Sequence, residues 1–352
     1  MTLPGRSFAG CDEYCAEPSK VCAVPRMECD NRDVRDWRPM QFQRLASAVL
    51  RAAKNEPAIR LAIARSEKSG TSPKDWFAGI NDETWFWINT TARRRRKAIA
   101  NLVPQMPEVA MQENFTGQSG DSTLREGFDA YKIFKKCYQT HVGPIESCRA
   151  ILDFGCGWGR IIRFFLKDIE PEKLLGIDHS EEVIRASRDT NRWCRFTLIE
   201  PYAPTSLPNG SFDLIYLYSV FSHLPEEMHL AWLREFHRLL KPGGMLIATT
   251  RARAYIQFCK SLRDDPQLNA KPDWLKRSAR AFVDLNATLS AYDDGQFCYG
   301  SLGGEGRWSY WGEACIPRAY VEKHWKEIFE VCEYIDDPNA CPQNVIVVRK
   351  RA

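Results

Sequence analysis

This sequence is poor in the features that would assign a protein at a glance. No run approaches the roughly 20 consecutive apolar residues of a membrane-crossing helix, so no membrane span is expected. The N-terminal MTLPGRSFAGCDEYC has no basic segment followed by an apolar core, so no secretory signal is expected and the setting reads as cytoplasmic. Neither sign of charge dominates. Lys and Arg number 49 against 45 Asp and Glu, and a net +4 over 352 residues does not demand a polyanionic partner. The thirteen cysteines include no CxxC pair. Cys11, Cys15, Cys22 and Cys29 have the wrong spacing for a zinc or cluster site, so no metal is expected. Dispersed singles such as Cys137, Cys194, Cys259 and Cys332 read as reduced thiols.

What is present is an ordinary globular composition, 44% hydrophobic and 27% charged, in a chain long enough to bury a sizeable core. Residues 1–35 read as a cysteine-bearing tail. Residues 36–145 read as helical: Phe42, Leu45, Ala48, Val49 and Ala52 recur at three and four, and Ser72-Pro73 marks a helix start. Trp85-Phe86-Trp87-Ile88 is expected to pack these helices together. The basic run 93–97 reads as a solvated face or a contact to acidic residues, with a phosphate-bearing acceptor as the alternative. Gly117 and Gly120 make a loop, and Asp121 or Ser122 is expected to cap a helix running to about 141. That loop is placed either to cover a ligand or simply to turn between domains.

From 146 to 352 the pattern changes. Strands expected at 149–154, 173–178, 195–199, 214–219 and 245–250 alternate with helices at about 160–168, 180–190 and 225–240. Lys241-Pro242-Gly243-Gly244 reads as a turn. Such alternation builds a parallel α/β sheet. Residues 252–315 break the rhythm with no clear strand, and read as an insertion over the carboxyl edge of the sheet, where such folds place their sites. Its Tyr299, Arg307, Trp308, Tyr310, Trp311 and Glu313, interleaved with glycines, suit a closing lid or plain core filling. A helix at 320–329 and strands at 331–335 and 345–349 complete the chain. With only a turn between them, the last two strands should pair antiparallel.

The chemistry concentrates in Asp153-Phe154-Gly155-Cys156-Gly157-Trp158-Gly159-Arg160, a glycine turn between a buried strand and an apolar segment. Glycines here permit positive φ and close ligand approach, as in nucleotide-binding turns. Asp178 ends the second strand 23 positions after Gly155, where a carboxylate can accept both hydroxyls of a ribose. A dinucleotide fingerprint would want glycine at 160, and the chain has Arg160, which argues against NAD. Asp153, two residues before the first glycine, suits the orientation of a charged amino group. Cys156 meets the turn's need for a small residue.

DFGCGWGR, GIDHS, FDLIYLYSVFSHLPEE and LKPGGMLIATT, in this order and spacing, resemble the successive motifs of class I S-adenosylmethionine-dependent methyltransferases. The resemblance is strong over about 147–250 and looser over the final helix and hairpin. It implies an α/β, Rossmann-like seven-stranded sheet of order 3-2-1-4-5-7-6 with strand seven antiparallel, and S-adenosyl-L-methionine as cofactor. By position it implies that Gly155, Cys156, Gly157 and Gly159 form the methionine-side turn, with Asp153 near the amino group. Asp178 takes the ribose, and His179 borders the adenine, with Tyr202 or its backbone as a further adenine contact. Ser219 ends the fourth strand at the site. An alcohol acceptor needs a base, and His223, the only imidazole in the stretch 219–223 that ends that strand, is the candidate, against a helix-capping or packing role. Strand four lacks the Asn/Asp-Pro-Pro-aromatic sequence of many nucleobase amino-methyltransferases, so DNA is not the expected partner. The FTGxxGxxTLxEG-type lead-in resembles that of bacterial stand-alone methyltransferases. The reading is O-methylation of a small-molecule or glycan hydroxyl. The alternatives are methylation of protein or RNA, or binding of the cofactor without transfer.

Overall fold

The computed structural model describes residues 53–303 and 310–352. The four tail cysteines, the helical pattern before residue 53, and Arg307 and Trp308 lie outside the described residues. Residues 55–352 form one unit. Its strands are β1 (Ile151–Phe154), β2 (Leu174–Asp178), β3 (Arg195–Leu198), β4 (Phe212–Leu217) and β5 (Leu240–Thr250). They are followed by a hairpin of β6 (Cys298–Ser301) and β7 (Gly312–Cys315), then β8 (Glu330–Ile335) and β9 (Asn344–Arg349). The main sheet has the order β3-β2-β1-β4-β5-β9-β8. Its first five strands pair in parallel, and β9 pairs antiparallel with both β5 and β8. Counting strands of this sheet alone, the order is the expected 3-2-1-4-5-7-6.

Central parallel strands are apolar on both faces because both faces are covered. Ile151 of β1 joins a core with Tyr216, Ile247, Trp85, Ile99 and Phe128. Its neighbour Leu152 joins the opposite core with Ile215, Trp232, Phe236 and Trp325. The helices before β1 therefore share a hydrophobic core with the sheet. Trp85 is fully buried, and its indole N–H donates to the Phe164 carbonyl at 2.9 Å. In the basic run, Arg94 pairs with Asp121, and Arg96 pairs with Glu56 at 2.6 Å. Acidic neighbours thus take up two of its charges. No helix among the described residues is long and apolar enough to cross a membrane.

Several elements differ from expectation. The segment after the glycine turn is a 3-10 helix, Ile162–Lys167, not an amphipathic α-helix. Ile162, Arg163, Phe164, Phe165 and Leu166 are all buried, and the Phe164 carbonyl is taken by Trp85, so packing on every side replaces α-helical bonding. The helix Asp121–His141 has Gly120 at its cap position, which offers no side chain, and Asp121, expected as a cap, is instead the first helical residue and pairs with Arg94. The Lys241–Gly244 stretch is part of β5, with a register irregularity against β4 between Phe212 and Leu214. The insertion contains helices Arg253–Arg263, Asp273–Ala279 and Leu285–Asp293 and the β6–β7 hairpin, around a small core of Ile256, Cys259, Phe282, Cys298 and Cys315. The expected helix at 320–329 is a short turn, Arg318–Tyr320, followed by a π-turn, Val321–Trp325. It ends on Trp325, whose buried indole donates to Nε2 of His229 at 2.9 Å.

Replacing Trp85 with alanine removes a large buried side chain that joins the N-terminal helices to the segment behind the glycine turn. The expected loss is about 3–5 kcal/mol of stability, seen as a lower urea midpoint. Trp85→Phe should lose less, roughly the single hydrogen bond at about 1 kcal/mol.

Candidate functional site

The glycine turn is built from β1 outward. Phe154 ends the strand, and the amides of Gly155 and Cys156 both donate to the carbonyl of Ile177 on β2, at 2.9 and 3.1 Å. Gly155 has φ +66°, and a Cβ there would stand 2.4 Å from Cγ2 of Val220. Only glycine fits that meeting of two loops. The amide of Gly157 donates to Oδ2 of Asp178 at 3.1 Å, and Ser180 N–H donates to Oδ1 at 3.0 Å. Behind the turn, a Cβ on Gly127 would lie 2.9 Å from the Arg160 carbonyl, so the helix Asp121–His141 presses its backbone onto the turn.

A cavity of about 630 Å³ opens over this turn at the carboxyl edge of the sheet. Asp153, Gly155, Cys156, Gly157, Asp178 and His179 line its β1–β2 side. Ser219, Val220 and His223 line its β4 side, while Asn114, Phe115 and Thr116 come from the lead-in. The insertion adds Arg277, Leu302, Tyr310 and Trp311. Asp153 is 2% exposed, and its Oδ2 has no hydrogen-bond partner among the described residues. Burial raises its carboxyl pKa to about 7, only partly offset by the Tyr216 hydroxyl. Burial likewise pushes the Cys156 thiol well up, so it is not an available nucleophile.

The chain leaves β4 through Ser219, the only non-glycine among the described residues with positive φ, at +59°. Conformations of this kind persist where surrounding bonds impose them. Here Ser219 N–H donates to Oγ1 of Thr249 at 2.7 Å, and Nε2 of Gln343 donates to its hydroxyl at 2.9 Å. The bend carries the chain to His223. Its Nδ1 lies 2.8 Å from the Gly312 carbonyl, and its ring stacks on Trp311 at 4.2 Å and 12°. A carbonyl only accepts, so Nδ1 carries the proton and Nε2 is the basic nitrogen. Burial lowers the pKa of this imidazole below its ordinary value, so the ring is neutral at neutral pH.

The structure brings Asp153, Gly155, Cys156, Gly157, Asp178, His179, Ser219 and His223 to one cavity. Two candidates lie elsewhere. Gly159 is not a lining residue: a Cβ on it would meet the Phe196 ring at 3.1 Å, so it serves packing beneath the turn. Tyr202 is 53% exposed and packs edge-on to Tyr310 at 5.8 Å, while Ile199 and Pro201 face the cavity instead. After β3 ends at Leu198, the loop turns its proline inward and its tyrosine outward.

Sequence reasoning also missed residues. Arg160 lines the cavity and is held by Glu126 at 3.4 Å, and Glu126 accepts from the Tyr218 hydroxyl at 2.8 Å. The signal was available: a cation directly after the glycine turn and an acid in the lead-in helix. Glu313 stands 3.7 Å from Nδ1 of His223, a juxtaposition that ninety residues of sequence separation conceal.

A family profile described as a methyltransferase domain matches residues 152–246. Among similar proteins, the trans-aconitate 2-methyltransferase of Azoarcus sp. is 30% identical over 156 residues, covering 43% of this chain and 56% of its own length. Thiocyanate methyltransferase 1 of Brassica oleracea is 35% identical over 136 residues, covering 32% and 59%. The chain thus spans a little over half the length of either relative. The crystal structure of an S-adenosylmethionine-dependent methyltransferase from Mesorhizobium loti aligns with a TM-score of 0.41 at 15% identity, over 64% of this chain and 98% of that one.

Two measurements probe this geometry without any ligand. Gly155→Ala should lower the thermal midpoint, because left-handed backbone costs about 1–2 kcal/mol for a residue with a Cβ and the methyl meets Val220. For Asp153 the folded pKa of about 7 lies above the model-peptide value of 3.8, so between those values the native state binds the extra proton. Its contribution to stability is therefore lost as pH rises from about 4 to about 7. Asp153→Asn should remove that part of the slope in a series of urea melts.

Proposed function

We propose that this chain, whose residues 152–246 match a methyltransferase domain, is a class I, S-adenosylmethionine-dependent methyltransferase that methylates a hydroxyl of a small molecule or glycan, with His223 as the base. One observation carries the reading: a single cavity gathers a buried carboxylate, a ribose-suited carboxylate and a neutral imidazole with its basic nitrogen defined. The residues present fit the cofactor. Asp153 offers an unpartnered buried oxygen to an ammonium group, and nothing lies within 4 Å of where a Cβ on Gly157 would be, so a ligand can reach that backbone. Asp178 uses one lone pair of each oxygen on a backbone amide and keeps others for the two ribose hydroxyls. Arg160, beside the glycine turn, is the lining cation placed for the carboxylate of the methionine part, while Arg277 lines the cavity from the insertion, and Ile199 and Pro201 supply an apolar wall for the adenine.

S-adenosylmethionine, when bound, supplies a methyl carbon made electrophilic by its sulfonium. The chain's part is then alignment, exclusion of water and removal of one proton. His223 takes the acceptor's hydroxyl proton on Nε2 while its Nδ1–H stays on the Gly312 carbonyl, and Nε2 later returns the proton to solvent. Tyr310 and Trp311 from the insertion and Phe115 from the lead-in narrow the opening. Support for a small acceptor comes from the relatives, whose names specify trans-aconitate and thiocyanate.

Calorimetry should detect S-adenosylhomocysteine binding that Asp178→Ala weakens tenfold or more, about 1.4 kcal/mol. Binding of NADH in its place would sink the reading. Labelled S-adenosylmethionine incubated with cell extract, followed by mass spectrometry, should identify the acceptor. With it in hand, His223→Ala should abolish turnover while leaving cofactor affinity intact. Because the imidazole must be neutral, the acid limb of the pH–rate profile should fall below the ordinary histidine value of 6.5. Cofactor binding without any labelled product would identify a binding protein instead.

A further inference from the structure

We infer that Glu313, clamped by Arg251, is a positioning residue for His223 that stabilises the imidazolium formed when the ring accepts a proton. The inference rests on the reading of His223 as base and assigns a part in it to the insertion. The hairpin strand β7 lies along the loop after β4: Gly312 N–H donates to the His223 carbonyl at 3.1 Å, and Ala314 N–H donates to the Ser222 carbonyl at 2.7 Å. These backbone bonds deliver three groups to one ring. The Gly312 carbonyl takes Nδ1–H, Trp311 covers a face, and Glu313 places Oε1 3.7 Å from Nδ1.

That distance is too long for a hydrogen bond and short enough for a strong field. An opposite charge within roughly 4–6 Å favours the charged form by about one to three pKa units. Glu313 is only 5% exposed, and a carboxylate this buried needs a cation. Arg251 supplies it, its Nε donating to Oε2 at 3.2 Å. Arg251 directly follows β5 and bridges to Cys315, so cation and carboxylate stand on two elements tied to each other. The stacked Trp311 ring also favours a cationic imidazole. Burial pulls the ring toward neutrality, Glu313 pulls it toward charge, and Arg251 opposes Glu313. Among the described residues, these two are the charged groups that bear on it. The resting imidazole stays neutral and able to accept, and the charge it then acquires meets a fixed counter-charge.

A purely structural Glu313–Arg251 pair would leave the histidine's titration alone, and that is the test. In the full-length protein labelled at histidine, without cofactor or acceptor, the His223 ring resonance is identified by its loss in His223→Ala. Glu313→Gln should lower the apparent pKa of that resonance by about one unit, and Arg251→Met should raise it. An unmoved titration in folded Glu313→Gln overturns the inference. Should that variant not fold, Arg251→Met decides, and no rise overturns it. Failure of the base reading is distinct: there the titration responds to Glu313→Gln, yet His223→Ala still turns over the identified acceptor.

Discussion

The site hangs on the pinning of the end of β1 to the end of β2. The Ile177 carbonyl holds two successive amides of the glycine turn, and the neighbouring carboxylate of Asp178 holds the next, that of Gly157. Parallel strands offer no hairpin to fix their ends, so these bonds are what give the turn one shape. Once Gly155 is placed, Val220 packs against it with no room for a side chain, and the loop after β4 has its position too. Asp178 therefore supports the turn from within while presenting its remaining lone pairs to the cavity. A substitution there disturbs shape and recognition together.

Two further layers press on that frame. From behind, Gly127 seats the lead-in helix on the Arg160 carbonyl, and Trp85 takes the Phe164 carbonyl. The N-terminal helices thus share the core of the sheet. From in front, the insertion adds a hairpin to the loop after β4 by main-chain bonds, so the surroundings of His223 are made by two stretches far apart in sequence. The core contributes the imidazole. The insertion contributes the carbonyl, indole and carboxylate around it.

The sheet and its order were legible because alternating apolar runs and turn residues recur at βαβ spacing, and four motifs sit at matching intervals along them. Legibility ended where long-range packing overrides local pattern. The 162–167 segment has helix-like apolar spacing yet is buried all round and gives a carbonyl to Trp85, so it winds as 3-10. The KPGG stretch has turn chemistry yet is absorbed into β5 at a register irregularity. The family resemblance implied cofactor contacts for Gly159, inside the glycine motif, and for Tyr202, in the segment after the third strand. A half-turn of the chain after β3 sends one to the surface, and the Phe196 ring claims the other.

By itself, the sequence determined the parallel α/β architecture, the location of the glycine turn and the two aspartates that flank it. Each depends on residues close in the chain or on periodicities that any local stretch displays. Only the tertiary structure decided which nitrogen of His223 is basic, that Glu313 and Arg251 attend it, and that Arg160 is held by Glu126. Those are meetings between elements tens of residues apart, set by sheet order and by the docking of the hairpin, and no local pattern encodes them.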